Sequence, residues 1–115
     1  MKSAETYFQI KEELLLAKQS RKEGNEGRAR VCARRAAGAA AGAYLTRQGM
    51  AKKTDNAYLS LQTLKQMENF PDRIQIAINR LLQRVDGNYQ LPPEIDLIHE
   101  AGIVIQFLEI GQNGN

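Results

Sequence analysis

The stretch from Gly27 to Arg47, GRARVCARRAAGAAAGAYLTR, constrains the fold of this chain more than any other segment. No proline interrupts it, and its small and apolar residues recur at helical spacing. At 100° per residue, one narrow face of a helix collects a row of small residues that ends in an aromatic ring: Ala29, Ala33, Ala36, Ala40, Ala43 and Tyr44. After Arg35 every side of the helix is small or apolar. The stretch is therefore predicted to be a central helix that several others contact.

Two glycines lie inside this stretch, at positions 38 and 42. Each costs a helix about 1 kcal/mol relative to alanine, because glycine loses more backbone freedom on folding. We therefore expect a neighbouring helix to approach closely at Gly38 and Gly42, where a side chain would obstruct it.

Apolar residues at helical spacing predict further helices on both sides of this stretch. One covers residues 3–23, and the turn residues 24–27 join it to the Ala-rich helix in an antiparallel hairpin. A third helix is predicted to run from a cap at Thr54 or Asp55 to about Asn69.

The remaining helices are marked by proline. A fourth follows Pro71 and has an inner face that ends at Val85, and a fifth opens at Pro93, because proline suits the first turn of a helix. The predicted fold is all-α, a single up-and-down bundle of about five helices with an N-terminal antiparallel hairpin. It forms one domain over residues 1–110, followed by a disordered tail over 111–115.

Composition excludes several classes of protein. Of 115 residues, 43% are hydrophobic and 25% charged, and no apolar run approaches the ~18 residues of a membrane span. The amino terminus carries acids where a secretory signal needs an apolar core, so we expect a cytoplasmic protein without membrane contact. The one cysteine, Cys32, allows no intrachain disulfide and is predicted to be a core residue. With one histidine elsewhere, we expect no metal site and no cofactor.

Charge is distributed unevenly along the chain. Residues 18–35 contain seven Lys or Arg and two Glu, a net charge of +5, whereas residues 86–115 contain five acids and no Lys or Arg. If the acidic last helix packs near the hairpin tip, the charges cancel. If it does not, the tip is an exposed anion site that suits a phosphate backbone. The candidate binding residues are Arg21, Lys22, Arg28, Arg30, Arg34 and Arg35.

The last helix also carries a second apolar stripe. His99, Ile103 and Phe107 follow one another at i, i+4 and i+8, away from the predicted core face. Burial on two sides indicates either another helix of the same chain or a partner, including a second copy. Both alternatives stay open at this point.

The residues Glu12–Gly24 and Gly27–Leu45 form an amphipathic helix, a glycine turn and an Ala/Arg-rich helix. This hairpin resembles the HEPN superfamily of small prokaryotic helical domains. The resemblance implies an up-and-down helical bundle, frequent homodimers and roles connected with RNA or nucleotides, including ribonuclease toxins and partners of minimal nucleotidyltransferases. Ribonucleolytic members carry an Arg and a His a few residues apart near the fourth helix.

This chain departs from that ribonuclease pattern. Arg84 is the matching arginine, but Asp86, Asn88 and Tyr89 follow it, and His99 comes fifteen positions later. The main hypothesis is therefore a non-catalytic or degenerate HEPN-like homodimeric interaction module that binds RNA or a nucleotide through the basic hairpin tip. One alternative is a HEPN-type ribonuclease with a nonstandard site near Arg84. Another is a structural subunit that binds a protein partner through the His99 stripe.

Overall fold

The computed structural model describes residues 3–50, 56–67, 69–83 and 95–113. Every regular element in these ranges is a helix, and the five helices are α1 (Ser3–Lys22), α2 (Glu26–Arg47), α3 (Ala57–Met67), α4 (Asp72–Leu82) and α5 (Leu97–Asn113). The predicted all-α bundle with about five helices is therefore confirmed. No helix of the described ranges combines enough length and apolar character to cross a lipid bilayer.

The hairpin between α1 and α2 closes through a glycine turn. Gly24 has a φ of +82°, its N–H donates to the Arg21 carbonyl at 3.0 Å, and the N–H of Asn25 donates to the Ser20 carbonyl at 2.8 Å. This pair of bonds satisfies the last carbonyls of α1, and the left-handed φ suits glycine. Asn25 then caps α2, because its side-chain oxygen accepts the N–H of Arg28 at 3.0 Å.

Helix α2 is the central helix of the bundle, as predicted. It packs against α1, α3 and α5, while α4 packs between α3 and α5. Several of its alanines are fully buried: Ala29, Ala33, Ala36, Ala37 and Ala41. Such small side chains let three neighbouring helices approach one axis. Apart from Leu45, the large buried side chains of the described core come from the other helices.

The two glycines of α2 have different surroundings. A Cβ at Gly38 would overlap the side chain of Ala57 and lie 2.6 Å from its Cα, so α3 begins directly against the α2 backbone. A Cβ at Gly42 would meet only the Ser60 hydroxyl at 3.5 Å, which is ordinary contact. The expected close approach is therefore confirmed at Gly38, whereas Gly42 has room for a side chain.

Two helices begin later than the sequence indicated. Asn56 caps α3, because its side-chain oxygen accepts the N–H of Leu59 at 3.1 Å; the predicted caps Thr54 and Asp55 lie outside the described residues. Helix α5 begins at Leu97 and not at Pro93.

Asp96 provides the cap of α5. Its carboxylate accepts the N–H groups of Ile98 at 3.0 Å and His99 at 3.3 Å, and these bonds place Asp96 just before the first turn. At the other end, α5 continues to Asn113, past the predicted tail boundary at residue 110.

Helices α4 and α5 pack on one another and complete the core. Their buried apolar side chains belong to the same core cluster as the α2 alanines, with Ile74, Ala77, Ile78 and Leu81 on α4 and Leu97, Ala101, Val104 and Leu108 on α5. The inner face predicted for α4 is confirmed up to Leu82, while Val85 lies outside the described residues.

The different surroundings of the two α2 glycines predict opposite effects of alanine. Gly38→Ala should lower the free energy of unfolding by about 1–3 kcal/mol, because the new methyl must displace the start of α3. Gly42→Ala should raise it by up to about 1 kcal/mol, because alanine favours the helix and finds space. Urea unfolding followed by circular dichroism measures both, and equal effects of the two substitutions would contradict the packing described here.

Candidate anion-binding site at the hairpin tip

We use the term hairpin tip for residues 18–35, which comprise the last turn of α1, the connection and the first turns of α2. The tip carries all six candidate cations identified from the sequence. In the structure, some of these cations bind groups on other helices and so hold the fold together. The others face solvent.

Arg21 belongs to the first group. Its guanidinium forms a two-pronged pair with Glu26, at 2.7 Å and 3.1 Å, and a third bond to Asp96 at 3.0 Å. The hydrogen bond to Glu26, and then Asp96, raises the pKa of Arg21, and Arg21 in turn lowers the pKa of Glu26. Because Asp96 caps α5, this one guanidinium ties together the ends of α1, α2 and α5.

The Asp96 contact brings an acidic group of the last helix to the hairpin tip. Burial disfavours the charged form of Asp96, but the hydrogen bonds from Arg21 and from the His99 and Ile98 N–H groups outweigh it and lower the pKa. The acidic last helix therefore reaches the tip with its capping residue, which pairs with Arg21 alongside Glu26.

Arg34 is also structural. Its Nε donates to the Leu81 carbonyl at 2.6 Å and its Nη2 donates to the Gln83 carbonyl at 3.1 Å. These are carbonyls at the C-terminal end of α4, where a helix lacks internal donors and where the dipole favours a cation. Arg34 thus caps α4 from the side of α2.

Arg35 lies on the opposite side of α2, beside α1. Its Nη1 is 4.0 Å from Glu13 Oε1, which is enclosed and accepts no hydrogen bond among the described residues. The Arg35 side chain remains 58% exposed, so this is a loose pair. Next to it Cys32 is buried, as predicted, and burial followed by the Glu13 carboxylate raises the pKa of its thiol. A thiol in this environment is poorly reactive.

The second group comprises Lys22, Arg28 and Arg30 of the candidates, together with Lys18. Lys18, Lys22 and Arg28 are exposed and Arg30 is half-buried. Within the described part of the chain none of these four forms an ion pair. The structure thus brings four cations that form no ion pair to one end of the molecule, around the N-terminus of α2, whose dipole also favours anions. Arg30 lies close enough to Glu26 to help lower the pKa of that carboxyl.

The predicted stripe on α5 is only partly exposed. The Phe107 ring meets Phe70 edge to face, with centroids 5.8 Å apart, and Phe70 in turn contacts Tyr44 at 5.8 Å. Ile103 and Phe107 are half-buried against the core, and His99 is exposed. Of the two alternatives for Phe107, the structure therefore shows a contact with a residue of the same chain.

The sequence reading missed a cluster around Glu100. This carboxylate is 4% exposed and accepts bonds from Arg73, at 2.9 Å and 3.2 Å, and from Arg80, at 2.8 Å. Burial disfavours its ionisation, but the two guanidiniums outweigh burial and lower its pKa. Helical spacing in the sequence could have indicated this cluster, because it places Glu100 on the same face of α5 as the buried Leu97 and Val104.

The residues of the ribonuclease alternative, Arg84, Asp86, Asn88 and Tyr89, lie outside the described residues. In the described ranges no three His, Cys, Asp or Glu side chains come together as metal ligands would. An open groove of about 450 Å³ between α3 and α4 is lined mainly by amides, together with Tyr58 and Lys65. These side chains can donate and accept hydrogen bonds.

No protein-family model, curated protein or solved structure matches the chain. The HEPN resemblance thus stays a prediction, and the charges and contacts of the described residues are the features that indicate a function.

The Glu100 cluster predicts a specific dependence of stability on pH. A carboxyl whose pKa is lowered by folding stabilises the fold above its ordinary pKa, about 4.3 for Glu, and loses this contribution as the pH falls through the lowered value. Glu100→Gln should therefore reduce the free energy of unfolding by about 1–2 kcal/mol at pH 7, because charge-assisted hydrogen bonds are lost but the guanidiniums of Arg73 and Arg80 that remain are partly exposed to water. The difference from the wild type should shrink steadily below pH 4.

Urea unfolding between pH 2.5 and pH 7 measures this difference. Glu12→Gln is the matched control, because Glu12 is exposed and forms no ion pair in the described residues. Parallel pH profiles for the wild type and Glu100→Gln would show that the cluster does not stabilise the fold.

Proposed function

We propose that this protein is a cytoplasmic, non-catalytic HEPN-like module that binds RNA through the phosphate backbone at its hairpin tip. The observation that carries the proposal is the group of four cations, Lys18, Lys22, Arg28 and Arg30, that form no ion pair in the described part of the chain. In such a module the tip is the ligand-binding end, and the α2 alanines are the scaffold that holds it.

The arrangement of charge suits a phosphate chain. Four cations spread over the end of a hairpin can contact successive phosphates, and each contact releases condensed counterions from the nucleic acid. The exposed first turn of α2 adds the positive end of its dipole to the same surface. A free nucleotide would use the same cations with fewer contacts, so we expect it to bind more weakly than RNA.

Among the described residues, the exposed aromatic rings lie away from this surface. The exposed rings Tyr7 and Phe8 lie about 20 Å along α1 from Lys22, from the 1.5 Å rise per helical residue. Base recognition in single strands depends on such rings. We therefore propose that the tip reads the backbone and not the sequence, and that any specificity comes from a protein partner such as a minimal nucleotidyltransferase.

The alternatives have less support. The ribonuclease alternative keeps only its sequence argument, since Arg84 and Tyr89 lie outside the described residues. A partner contact through the predicted stripe would have only the exposed His99 and the half-buried Ile103 and Phe107 to use.

The proposal predicts salt-dependent RNA binding that depends on the unpaired cations. Fluorescence anisotropy with a labelled single-stranded RNA of mixed sequence, from 20 to 300 mM salt, measures the affinity. Arg28→Gln with Arg30→Gln should weaken binding at least tenfold at low salt. It should also reduce the slope of log K against log salt by about 1.5, because two phosphate contacts are lost.

The control removes the same charge elsewhere. Arg47→Gln with Lys65→Gln takes two exposed cations from other parts of the bundle and should leave binding within about twofold of the wild type. Arg34 is unsuited to this experiment because it caps α4. Absence of binding at the lowest salt, or equal losses in the two double variants, would refute the proposal.

A further inference from the structure

Two arginines of α4 remain half-exposed although both bind a buried carboxylate. Arg73 and Arg80 lie two turns apart on one face of α4, and both donate to Glu100 of α5. Glu100 is 4% exposed, whereas the two arginine side chains are 45% and 37% exposed. The carboxylate is therefore covered, while the two guanidiniums belong to the surface of the molecule.

The two guanidiniums are held close together. Arg73 Nη2 and Arg80 Nη1 share one acceptor, Glu100 Oε2, at 3.2 Å and 2.8 Å, so the two nitrogens are no further apart than these two bonds allow. Positive charges at such a separation repel each other, and one carboxylate neutralises only one of them. The Arg73–Arg80 pair therefore keeps one excess positive charge.

No second acid offsets this excess charge in the described part of the chain. Neither Arg73 nor Arg80 forms an ion pair with a carboxylate other than Glu100. Asp96, which lies one helical turn before Glu100 on α5, is already bound by Arg21. The excess charge is thus available to a ligand from solvent.

Several donors of the pair are also unused. A guanidinium has five N–H donors, but Arg73 donates only through Nη1 and Nη2, and Arg80 only through Nη1. The Nε–H groups of both arginines, and Nη2 of Arg80, bond to no described residue. Glu100 meanwhile orders both guanidiniums before any ligand arrives, which lowers the entropy cost of binding one.

We infer that the Arg73–Arg80 pair is a binding site for a small tetrahedral dianion, namely free phosphate or the terminal phosphate of a small monoester. A tetrahedral oxyanion presents more oxygens than a carboxylate, so it accepts from two guanidiniums at once, whereas a carboxylate matches a single guanidinium fork. Glu100 is then a positioning residue of the site. With one excess charge at an exposed position, we expect a dissociation constant of about 1–10 mM.

This site is separate from the cations proposed to bind RNA, because its arginines belong to α4 and not to the hairpin. It also has an effect of its own. The pair joins α4 to α5, so phosphate bound there should stabilise the bundle by mass action. The inference does not depend on what the hairpin tip binds.

An NMR titration with inorganic phosphate from 0 to 50 mM, at pH 7.5 and constant ionic strength, tests the site. The Nε–H signals of Arg73 and Arg80 should shift and saturate together. A titration without a saturable shift at either arginine, or with shifts confined to the hairpin tip, would overturn the inference.

A charge-balanced double substitution separates the geometry of the site from its net charge. Arg73→Gln with Glu100→Gln removes one cation and one anion, so the excess charge is unchanged while only Arg80 remains, and phosphate binding should weaken at least tenfold. Arg47→Gln with Glu12→Gln makes the same change at two exposed positions elsewhere and should leave binding unchanged. Equal affinities of the two double variants would contradict a site made of two guanidiniums.

Arg80→Lys is a milder variant that tests the same site. Lysine keeps the positive charge beside Glu100 but lacks the planar fork, so phosphate should bind at least fivefold more weakly. Circular dichroism establishes that all variants remain folded. A Lys variant that binds phosphate as the wild type does would also argue against the inference.

Three phosphate compounds identify the class of ligand. Inorganic phosphate and methyl phosphate carry close to two negative charges at pH 7.5, whereas dimethyl phosphate carries one and resembles the nucleic-acid backbone. We expect the first two to bind with similar affinity and dimethyl phosphate to bind at least tenfold more weakly. Equal binding of dimethyl phosphate would refute a site for dianions.

The outcomes are separable from those for RNA. Arg28→Gln with Arg30→Gln should bind inorganic phosphate at α4 as the wild type does. Phosphate binding by a protein that binds no RNA would contradict the proposed function alone. RNA binding by a protein whose Arg73 and Arg80 signals do not respond to phosphate would contradict this inference alone.

Discussion

Close packing around the alanines of α2 is the constraint on which the rest of the structure depends. Because residues such as Ala33, Ala37 and Ala41 are small and fully buried, three helices can lie against one axis. The closest approach is at Gly38, where the start of α3 lies so near the α2 backbone that a side chain at this position would overlap it. Apart from Leu45, the larger apolar residues of the described core, including Leu61 and Leu108, belong to the surrounding helices. The neighbouring helices α1, α3 and α5 therefore pack around α2.

Towards its N-terminus α2 carries arginines in addition to alanines, and arginines of the hairpin bind the ends of other helices. Arg34 binds carbonyls at the end of α4, and Arg21, across the hairpin, binds both Glu26 and the capping residue of α5. A guanidinium suits such positions because its planar fork satisfies two acceptors at once. Lys18, Lys22, Arg28 and Arg30 are not used in this way. The excess positive charge of the tip therefore consists of side chains that the fold does not require.

The parts of the fold that could be predicted are those that local pattern encodes. The alanine row, the hairpin turn at Gly24 and the start of α4 after Pro71 depend on residues close together in sequence. The start of α5 was misplaced because Pro93 and Asp96 both suit a helix beginning, and the hydrogen bonds to the Asp96 carboxylate decide between them.

The contacts of individual charges were harder to predict, because their partners are distant in sequence. The acceptors of Arg34 lie 47 and 49 residues away and are backbone carbonyls, which no residue type marks. One of the two partners of Arg21, Asp96, is 75 residues away. Glu100 was easier to predict, because a carboxylate on the buried face of α5 requires cationic partners. In the structure these partners are Arg73 and Arg80. Sequence reasoning found the basic tip but could not tell its structural arginines from its unpaired ones.

The central claim is that one end of a rigid alanine-packed hairpin holds the ligand while the rest of the bundle supports it. Backbone amide chemical shifts, recorded by NMR during titration with a single-stranded RNA at low salt, test this claim most directly. The account predicts that the largest changes cluster between Lys18 and Val31, with little change in α3 and α4. Changes centred on the groove between α3 and α4, or no changes at saturating RNA, would contradict it.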